Sequence, residues 1–172
     1  MTEEGIVNRV SGSSLQTFDL ELYHQPGKRV ELDISGQLYE GLIIKEKDFR
    51  SFVKEENWSL YKDQYVAIYC STDAIIPTWA YMLLTVALEP HAKRIVFGRL
   101  ADLENILYQD ALSKVDWSQF NDAKVVLKGC SKVDVPVSAY VEATQRLRAV
   151  ASSLMFGEPC STVPIFKRQK AG

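Results

Sequence analysis

The chain has 172 residues, of which 47% are hydrophobic and 24% are charged, and its net charge is −2. This balance predicts one globular domain and gives no electrostatic basis for binding nucleic acid or an anionic membrane surface. The longest apolar helical segment, 74–88, is too short to span a bilayer, so we expect no membrane partner. The acidic N-terminus is not a secretory signal, and we therefore expect a cytoplasmic protein with three reduced cysteines.

The first third of the chain contains two short segments that predict strands. Residues 1–14 end in a Ser/Gly-rich stretch and are expected to form a loose terminus. Segments 16–23 and 29–34 alternate polar and apolar residues, as half-buried strands do. They either pair with each other, or the first leads into irregular structure. The charged segment 45–57 has aromatic and apolar residues at helical spacing.

The rest of the chain alternates apolar strands with helices. Runs 65–69, 94–98 and 124–127 predict buried strands, and helical segments follow at 74–88, 101–112 and 135 to about 155. This order implies parallel strands of one sheet joined by right-handed crossovers. We therefore predict a three-layer α/β fold with a mostly parallel sheet, helical crossovers and added N-terminal strands. It forms a single domain over 15–168, followed by a tail at 169–172, and Pro164 places the segment 163–166 at a sheet edge.

One pattern occurs twice. The segment from Cys70 to Tyr81 matches the segment from Cys130 to Tyr140 with a slip of one residue, and each follows a predicted strand and enters a helix. In the two segments Asp73 and Asp134 can cap the helix, and a proline falls in its first turn. Strand-to-helix turns often use similar residues, which explains the shared aspartate and proline but not the shared Cys-Ser. Two equivalent structural units would explain all of them.

The cysteines are the main candidates for chemistry. Parallel strands end at one sheet edge, where ligands bind, and we expect Cys70 and Cys130 there, each just before a helix N-terminus that favours a thiolate. A free cysteine is also often only a small buried hydrophobe. Cys160 follows the third predicted helix, which would span roughly 30 Å, so it is expected far from the other two unless the helix ends early or the tail folds back.

Three convergent thiolates would suit zinc or an iron–sulfur cluster, with one position left for a fourth ligand or water. Asp73 is a candidate fourth ligand, although a helix cap is the more common role of such a residue. His24 and His91 lie in proline-containing turns and are expected to be exposed. The sequence has no glycine-rich phosphate loop, nucleophile elbow or HExxH motif.

Segments 41–50, 70–81, 128–132 and 157–164 resemble an uncharacterised bacterial family, the domain of unknown function numbered 2480, found mainly in Bacteroidetes. The resemblance covers most of the chain and implies no particular activity. It implies a gene context near sulfur-mobilising iron–sulfur cluster assembly, and hence an accessory role with assembly proteins as partners. Segment 126–131 also resembles the strand-Gly-Cys turn of sulfur-acceptor and scaffold proteins.

The leading hypothesis is a small cytoplasmic thiol protein that binds zinc or an iron–sulfur cluster as an accessory to cluster assembly. Cys70 and Cys130 are the expected ligands, and Cys160 is a candidate third ligand. One alternative is a sulfur carrier in which one cysteine holds a persulfide. Another is a non-catalytic interaction module with structural cysteines. The sequence leaves open the oligomeric state and whether the chain is an enzyme.

Overall fold

The structure, a computed structural model, describes residues 15–129, 132–158 and 161–169. Its helices are α1 (Glu46–Glu55), α2 (Thr78–Leu88), α3 (Leu100–Leu112) and α4 (Val137–Val150). Its strands are β1 (Leu15–Asp19), β2 (Arg29–Asp33), β3 (Tyr65–Tyr69), β4 (Arg94–Phe97), β5 (Lys124–Lys128), β6 (Ser153–Glu158) and β7 (Ser161–Lys167). None of the helices in these ranges is both long enough and apolar enough to cross a membrane.

The strands form two sheets that are mostly parallel, which confirms the α/β class with helical crossovers. The orders are β2-β3-β4, all parallel, and β1-β5-β6-β7, in which only the β6–β7 pair is antiparallel. The expectation that β3, β4 and β5 share one sheet is wrong, because β5 pairs with β1 and β6 instead. An apolar run indicates that a strand is buried but carries no information about which strand lies beside it.

The two N-terminal strands do not pair with each other. β1 runs parallel to β5, with Leu15 opposite Lys124, and β2 runs parallel to β3, with Arg29 opposite Tyr65. Each therefore forms the first strand of its own sheet. By its internal contacts the chain divides into two compact units, which we call the inserted unit (25–107) and the terminal unit (the described residues up to 24 and from 108 onward). The prediction of a single domain over 15–168 stays a prediction.

The inserted unit has three layers around β3. Val66 and Ile68 face a core that includes α1 and α2, whereas Tyr65 and Ala67 face the first half of α3. The helices contribute fully buried side chains to these two cores, among them Phe49, Leu84, Leu88 and Leu103. The alternation of β3 between two apolar faces explains why its sequence is a continuous apolar run.

The terminal unit packs α4 against one face of its sheet. Val125 and Leu127 of β5 lie in a core with residues from β1, α4 and β6, namely Phe18, Ala139, Ala143, Leu147 and Leu154. The predicted third helix is wrong at its end: α4 stops at Val150, Ala151 turns to extended backbone, and β6 follows. Apolar residues continue through this change, so periodicity alone did not separate the helix from the strand. Pro164 lies in β7 at the sheet edge, as predicted.

The two units repeat one structural plan, which confirms the equivalence suggested by the two Cys-Ser segments. In each, a Trp-Ser 3-10 turn precedes a buried strand, a proline precedes a helix, and a parallel strand follows. Residues 57–98 align with 116–157 without a gap. The identical pairs are Trp58/Trp117, Ser59/Ser118, Asp63/Asp122, Val66/Val125, Pro77/Pro136, Ala80/Ala139, Tyr81/Tyr140, Thr85/Thr144, Leu88/Leu147, Ala92/Ala151, Phe97/Phe156 and Gly98/Gly157. At this spacing Cys70 aligns with Gly129, so the two cysteines stand one position apart in the repeat.

Candidate functional site

The carboxyl ends of β2, β3 and β4 form one edge of the inserted unit. Asp33 ends β2, Cys70 follows β3, and Gly98 follows β4. Because the three strands are parallel, these residues lie along the edge at which α/β proteins bind ligands. We call it the inserted-unit edge.

Asp33 connects the end of β2 to the Cys-Ser turn. Its Oδ1 atom accepts hydrogen bonds from the N–H of Ser35 (2.9 Å) and the N–H of Ser71 (3.1 Å). Desolvation raises the pKa of Asp33, but the hydrogen bonds from Ser71 and Ser35 outweigh it and lower the pKa to about 2. Asp33 is therefore a fixed carboxylate beside Cys70 at neutral pH.

Cys70 is a half-buried free thiol whose Sγ lies 3.2 Å from the Thr72 hydroxyl. Tyr81 of α2 is close enough to be affected by it: desolvation raises the pKa of Tyr81, and the charges of Cys70 and Asp33 raise it further. The Tyr81 ring also packs edge-on against Phe97, with 5.0 Å between centroids. The edge thus combines a thiol, a carboxylate and a phenol.

The expectation that Cys70 lies just before a helix N-terminus is wrong. The helix α2 begins only at Thr78, after Pro77, several residues beyond Cys70 in the chain. The capping roles of Asp73 and Asp134 are wrong for the same reason. Both helices follow an extended proline at the N-cap position, and neither cap makes a side-chain hydrogen bond. Proline holds the chain extended there, and the helix starts after it.

An ion pair crosses the inserted-unit edge. Arg99 Nε lies 2.8 Å from Glu31 Oε1, which also accepts the N–H of Leu100 at the start of α3. The Arg99 guanidinium lies over the Tyr69 ring, 4.0 Å from its centroid. The hydrogen bond from Arg99, followed by that from Leu100, lowers the pKa of Glu31. These contacts connect β2 to the N-terminus of α3.

The corresponding edge of the terminal unit is also charged. Lys128 at the end of β5 lies between two carboxylates, 3.4 Å from Glu158 Oε1 and 3.9 Å from Asp19 Oδ2. The hydrogen bond with Glu158 is the main reason that the pKa of Lys128 is raised. Asp19 is the repeat counterpart of Asp33, and its Oδ1 likewise accepts an N–H two residues on, from Glu21. We call this set the terminal-unit edge.

At the terminal-unit edge the backbone of Gly129 lies close to the side chain of Tyr140. A Cβ atom added to it would lie 2.7 Å from Cζ of Tyr140. The Tyr140 ring in turn packs edge-on against Phe156, as Tyr81 packs against Phe97 in the inserted unit. Only glycine leaves room for the tyrosine ring in this arrangement.

Cys130 and Cys160 lie outside the described residues, but their neighbours are described. Gly129 follows β5, and Glu158, the last residue of β6, pairs with Ser161, the first residue of β7. Since β5 and β6 are parallel neighbours, these flanking residues lie at one edge. The expectation that Cys160 follows a long helix toward the opposite edge is therefore wrong. Also wrong is the expectation that Cys70 and Cys130 follow strands of the same sheet.

Within residues 15–129, 132–158 and 161–169, no three His, Cys, Asp or Glu side chains are gathered to hold a metal ion. Cys130 and Cys160 lie outside these ranges. His24 and His91 are half-buried rather than exposed. Sequence reasoning missed Asp33, Lys128 and Glu158. The signal available in the sequence was that Asp33 lies near the end of the alternating segment 29–34.

Residues 4–168 match the family described as a protein of unknown function, DUF2480. The chain belongs to this family. The match confirms the resemblance seen in the cysteine-containing segments and covers both edges. No curated protein and no solved structure matches this DUF2480 chain.

Proposed function

We propose that this DUF2480 protein is a cytoplasmic thiol protein that holds zinc or an iron–sulfur cluster and acts as an accessory to cluster assembly. Cys130 and Cys160 are the principal ligands in this proposal, and Cys70 is a third thiol whose participation is tested separately. The observation that carries the proposal is the parallel pairing of β5 with β6. It brings the chain on either side of Cys160 to the edge at which Gly129 leads into Cys130.

The strand register supports a short separation between the two thiols. Leu127 pairs with Phe156, so Gly129 and Glu158 come at matching positions two residues further on. Neighbouring strands lie about 4.8 Å apart, and each further residue advances the chain by at most about 3.5 Å. Cys130 is one residue beyond Gly129 and Cys160 is two beyond Glu158. In this proposal both sulfurs bind one metal ion, with Zn–S bonds of about 2.3 Å.

The charges at the terminal-unit edge fit this chemistry. Lys128 lies two residues before Cys130 in the chain, and a cation near a cysteine favours the thiolate, the form that binds metal, although the ion pairs of Lys128 with Glu158 and Asp19 offset part of this effect. Asp19 and Glu158 add carboxylate oxygens, which zinc accepts beside sulfur. Two thiolates held close together repel each other unless a cation neutralises them, which favours metal over two free sulfurs.

Elemental analysis of the protein purified without oxygen or chelator tests the proposal. We expect near-stoichiometric zinc or iron in the unmodified chain and loss of most of it in Cys130→Ser and in Cys160→Ser. Cys70→Ser tests the third thiol: metal that is kept shows that Cys70 is not a ligand, and metal that is lost with an unchanged far-UV circular dichroism spectrum identifies it as one. Ser161→Ala, next to Cys160 in the same hairpin, should keep the metal. Metal below a tenth of an equivalent in the unmodified chain would overturn the proposal.

A persulfide carrier is the second candidate, and the position of Lys128 favours it. A nearby ammonium group stabilises a thiolate, and the thiolate is the nucleophile that accepts sulfur. After incubation with a cysteine desulfurase, one cysteine would gain the mass of one sulfur atom. Cys130→Ser should abolish that gain, whereas Cys70→Ser should not. If the chain binds no metal and accepts no sulfur, a non-catalytic interaction module is the remaining hypothesis.

A further inference from the structure

The terminal unit has a groove of about 440 Å³ at one end of its sheet. The groove is lined by the first residues of β5 and β6 and the last part of β7, namely Lys124, 153–155 and 164–167, and by no residue of α4. Leu154 and Phe166 face the core beside α4. Since side chains alternate along a strand, Met155 and Lys167 are on the opposite face. The groove therefore opens on the sheet face opposite α4.

The same face of the inserted unit is covered by a helix. There the first half of α3 packs against β3 and β4. Tyr65 and Val96 belong to that contact, and their repeat counterparts are Lys124 and Met155 of the groove. After β6, however, the chain continues as β7 and not as a helix. Among the described residues, the terminal unit thus has no counterpart of α3 at this groove.

The groove combines apolar side chains with positive charge. Lys124 and Lys167 are exposed, and neither forms an ion pair with a carboxylate of the described residues. Met155, Pro164 and Ile165 line the groove beside them, and Ile165 is 51% exposed. An occupant complementary to this surface carries apolar groups and negative charge.

The N-terminal segment 1–14, which lies outside the described residues, has this composition. Its two carboxylates, Glu3 and Glu4, are followed by the segment 6–10, in which three of the five residues are apolar. Arg9 is the only lysine or arginine in the segment 1–14, so the carboxylates outnumber the cations. The segment therefore matches the groove in both charge and apolar content.

The N-terminal segment joins the sheet beside the groove. Leu15, the first residue of β1, pairs with Lys124, which in turn pairs with Ser153, and Ser153 pairs with Lys167. Lys167 is thus three strand spacings, about 14 Å, from Leu15. Glu4 is 11 residues before Leu15, and an extended chain advances by at most about 3.5 Å per residue, which gives a reach of roughly 38 Å. The segment is therefore long enough to cross the groove.

We propose that residues 3–10 bind in the groove of their own chain instead of forming a loose terminus. The apolar residues of 6–10 pack against Met155 and Ile165, and the two carboxylates pair with the two lysines. The segment then covers the face that α3 covers in the inserted unit. This inference does not depend on the proposed function, because the groove lies at the amino ends of β5 and β6, whereas Gly129 and Glu158 follow or form their carboxyl ends.

Methyl NMR of the full chain, with labelled methionine, tests the contact. The three methionines give three signals, and Met155→Leu identifies the one in the groove. We expect the double substitution Ile6→Ser and Val7→Ser to shift the Met155 signal and to leave that of Met82 in place. Removing two apolar side chains should lower the docked population at least tenfold.

Backbone ¹⁵N relaxation provides the second measurement. Order parameters of residues 6–10 should be above about 0.8 in the unmodified chain and below about 0.6 in the Ile6→Ser, Val7→Ser variant. The matched control is the double substitution Ser11→Ala and Ser13→Ala, which lies in the same segment but outside 3–10. It should change neither the order parameters nor the Met155 signal.

A charge exchange tests the ion pairs separately. Glu3→Lys with Glu4→Lys should lower the docked population about fivefold, and Lys124→Glu with Lys167→Glu should do the same. Combining all four substitutions should restore the docked population, because opposite charges then face each other again. A loss of docking that all four together do not reverse would contradict the pairing of these carboxylates with these lysines.

Three results would overturn the proposal. The first is order parameters below about 0.6 throughout 6–10 in the unmodified chain, whether the groove is then empty or binds a small amphipathic anion such as decanoate. The second is an ordered segment whose substitution leaves the Met155 signal unchanged, which would place the segment elsewhere, for example beside β1. The third is order that is lost on dilution, because the occupant would then be the segment of a second copy.

Discussion

A single methyl group added at Gly157 should be costly to the terminal unit. Its φ angle is +124°, a conformation that residues with a side chain rarely adopt. A Cβ atom there would lie 2.5 Å from the carbonyl oxygen of Ser161 and 3.5 Å from Cα of Thr162. Both atoms belong to the main chain of the hairpin that flanks Cys160, so a side-chain rotation cannot remove either contact.

The expected cost of Gly157→Ala follows from these two effects. A residue held in a disfavoured backbone region costs about 1–3 kcal/mol. Forcing an added carbon against fixed atoms costs about 1–3 kcal/mol more, and the hairpin relieves part of it by shifting. We therefore expect the free energy of unfolding to fall by about 3 kcal/mol, which lowers Tm by roughly 6–12 °C in a chain of this size. Urea denaturation followed by far-UV circular dichroism measures it.

Two other glycines serve as controls for this reasoning. Gly98 has φ +126°, but a Cβ there would meet the side chain of Asp102, which can rotate if it gives up its 2.8 Å hydrogen bond from the Arg99 N–H. Gly98→Ala should therefore cost less, about 2 kcal/mol. Gly36 has no atom within 4 Å of an added Cβ, and Gly36→Ala should stay within about 0.5 kcal/mol of the unmodified protein. A Gly157→Ala variant no less stable than Gly36→Ala would refute the argument.

Two further predictions concern the carboxylate of Asp33 and the equivalent cores. Because the folded pKa of Asp33 is about 2, below the unfolded value of about 3.9, its stabilisation should be complete above about pH 5 and mostly lost by the time the pH reaches about 2. Asp33→Ala should thus lower stability at pH 7 by about 1 kcal/mol, after allowing for its solvent exposure, with little difference from the unmodified protein at pH 2; a difference that persists at pH 2 would contradict this. Leu88→Ala and Leu147→Ala, at equivalent and fully buried positions of the two units, should each cost about 3 kcal/mol in urea denaturation, against less than 1 kcal/mol for the exposed Val86→Ala. A cost below 1 kcal/mol at either leucine would show that its unit is not packed as described.

The sequence by itself determined the elements that depend on local pattern. Phe49 and Phe52 at helical spacing indicated α1, and the apolar runs at 65–69 and 124–127 indicated β3 and β5 within a residue of their ends. Proline placed β7 at an edge, because it cannot donate to a ladder on both sides. The shared Cys-Ser segments indicated two equivalent units, because the same local conformations require similar residues.

Only the tertiary structure decided which strands are neighbours and where the cysteine-containing segments lie. β1 pairs with β5 across more than a hundred residues, and no local pattern in residues 15–19 specifies that partner rather than β2. The segment 153–158 is apolar enough to extend a helix, and it becomes a strand because its backbone pairs with β5 and its Leu154 fills the core beside α4. Local sequence sets the backbone preference and the burial of each segment. Strand pairing depends instead on long-range contacts throughout the core. The pairing of β6 with β5 brings the residues that flank Cys160 to the terminal-unit edge.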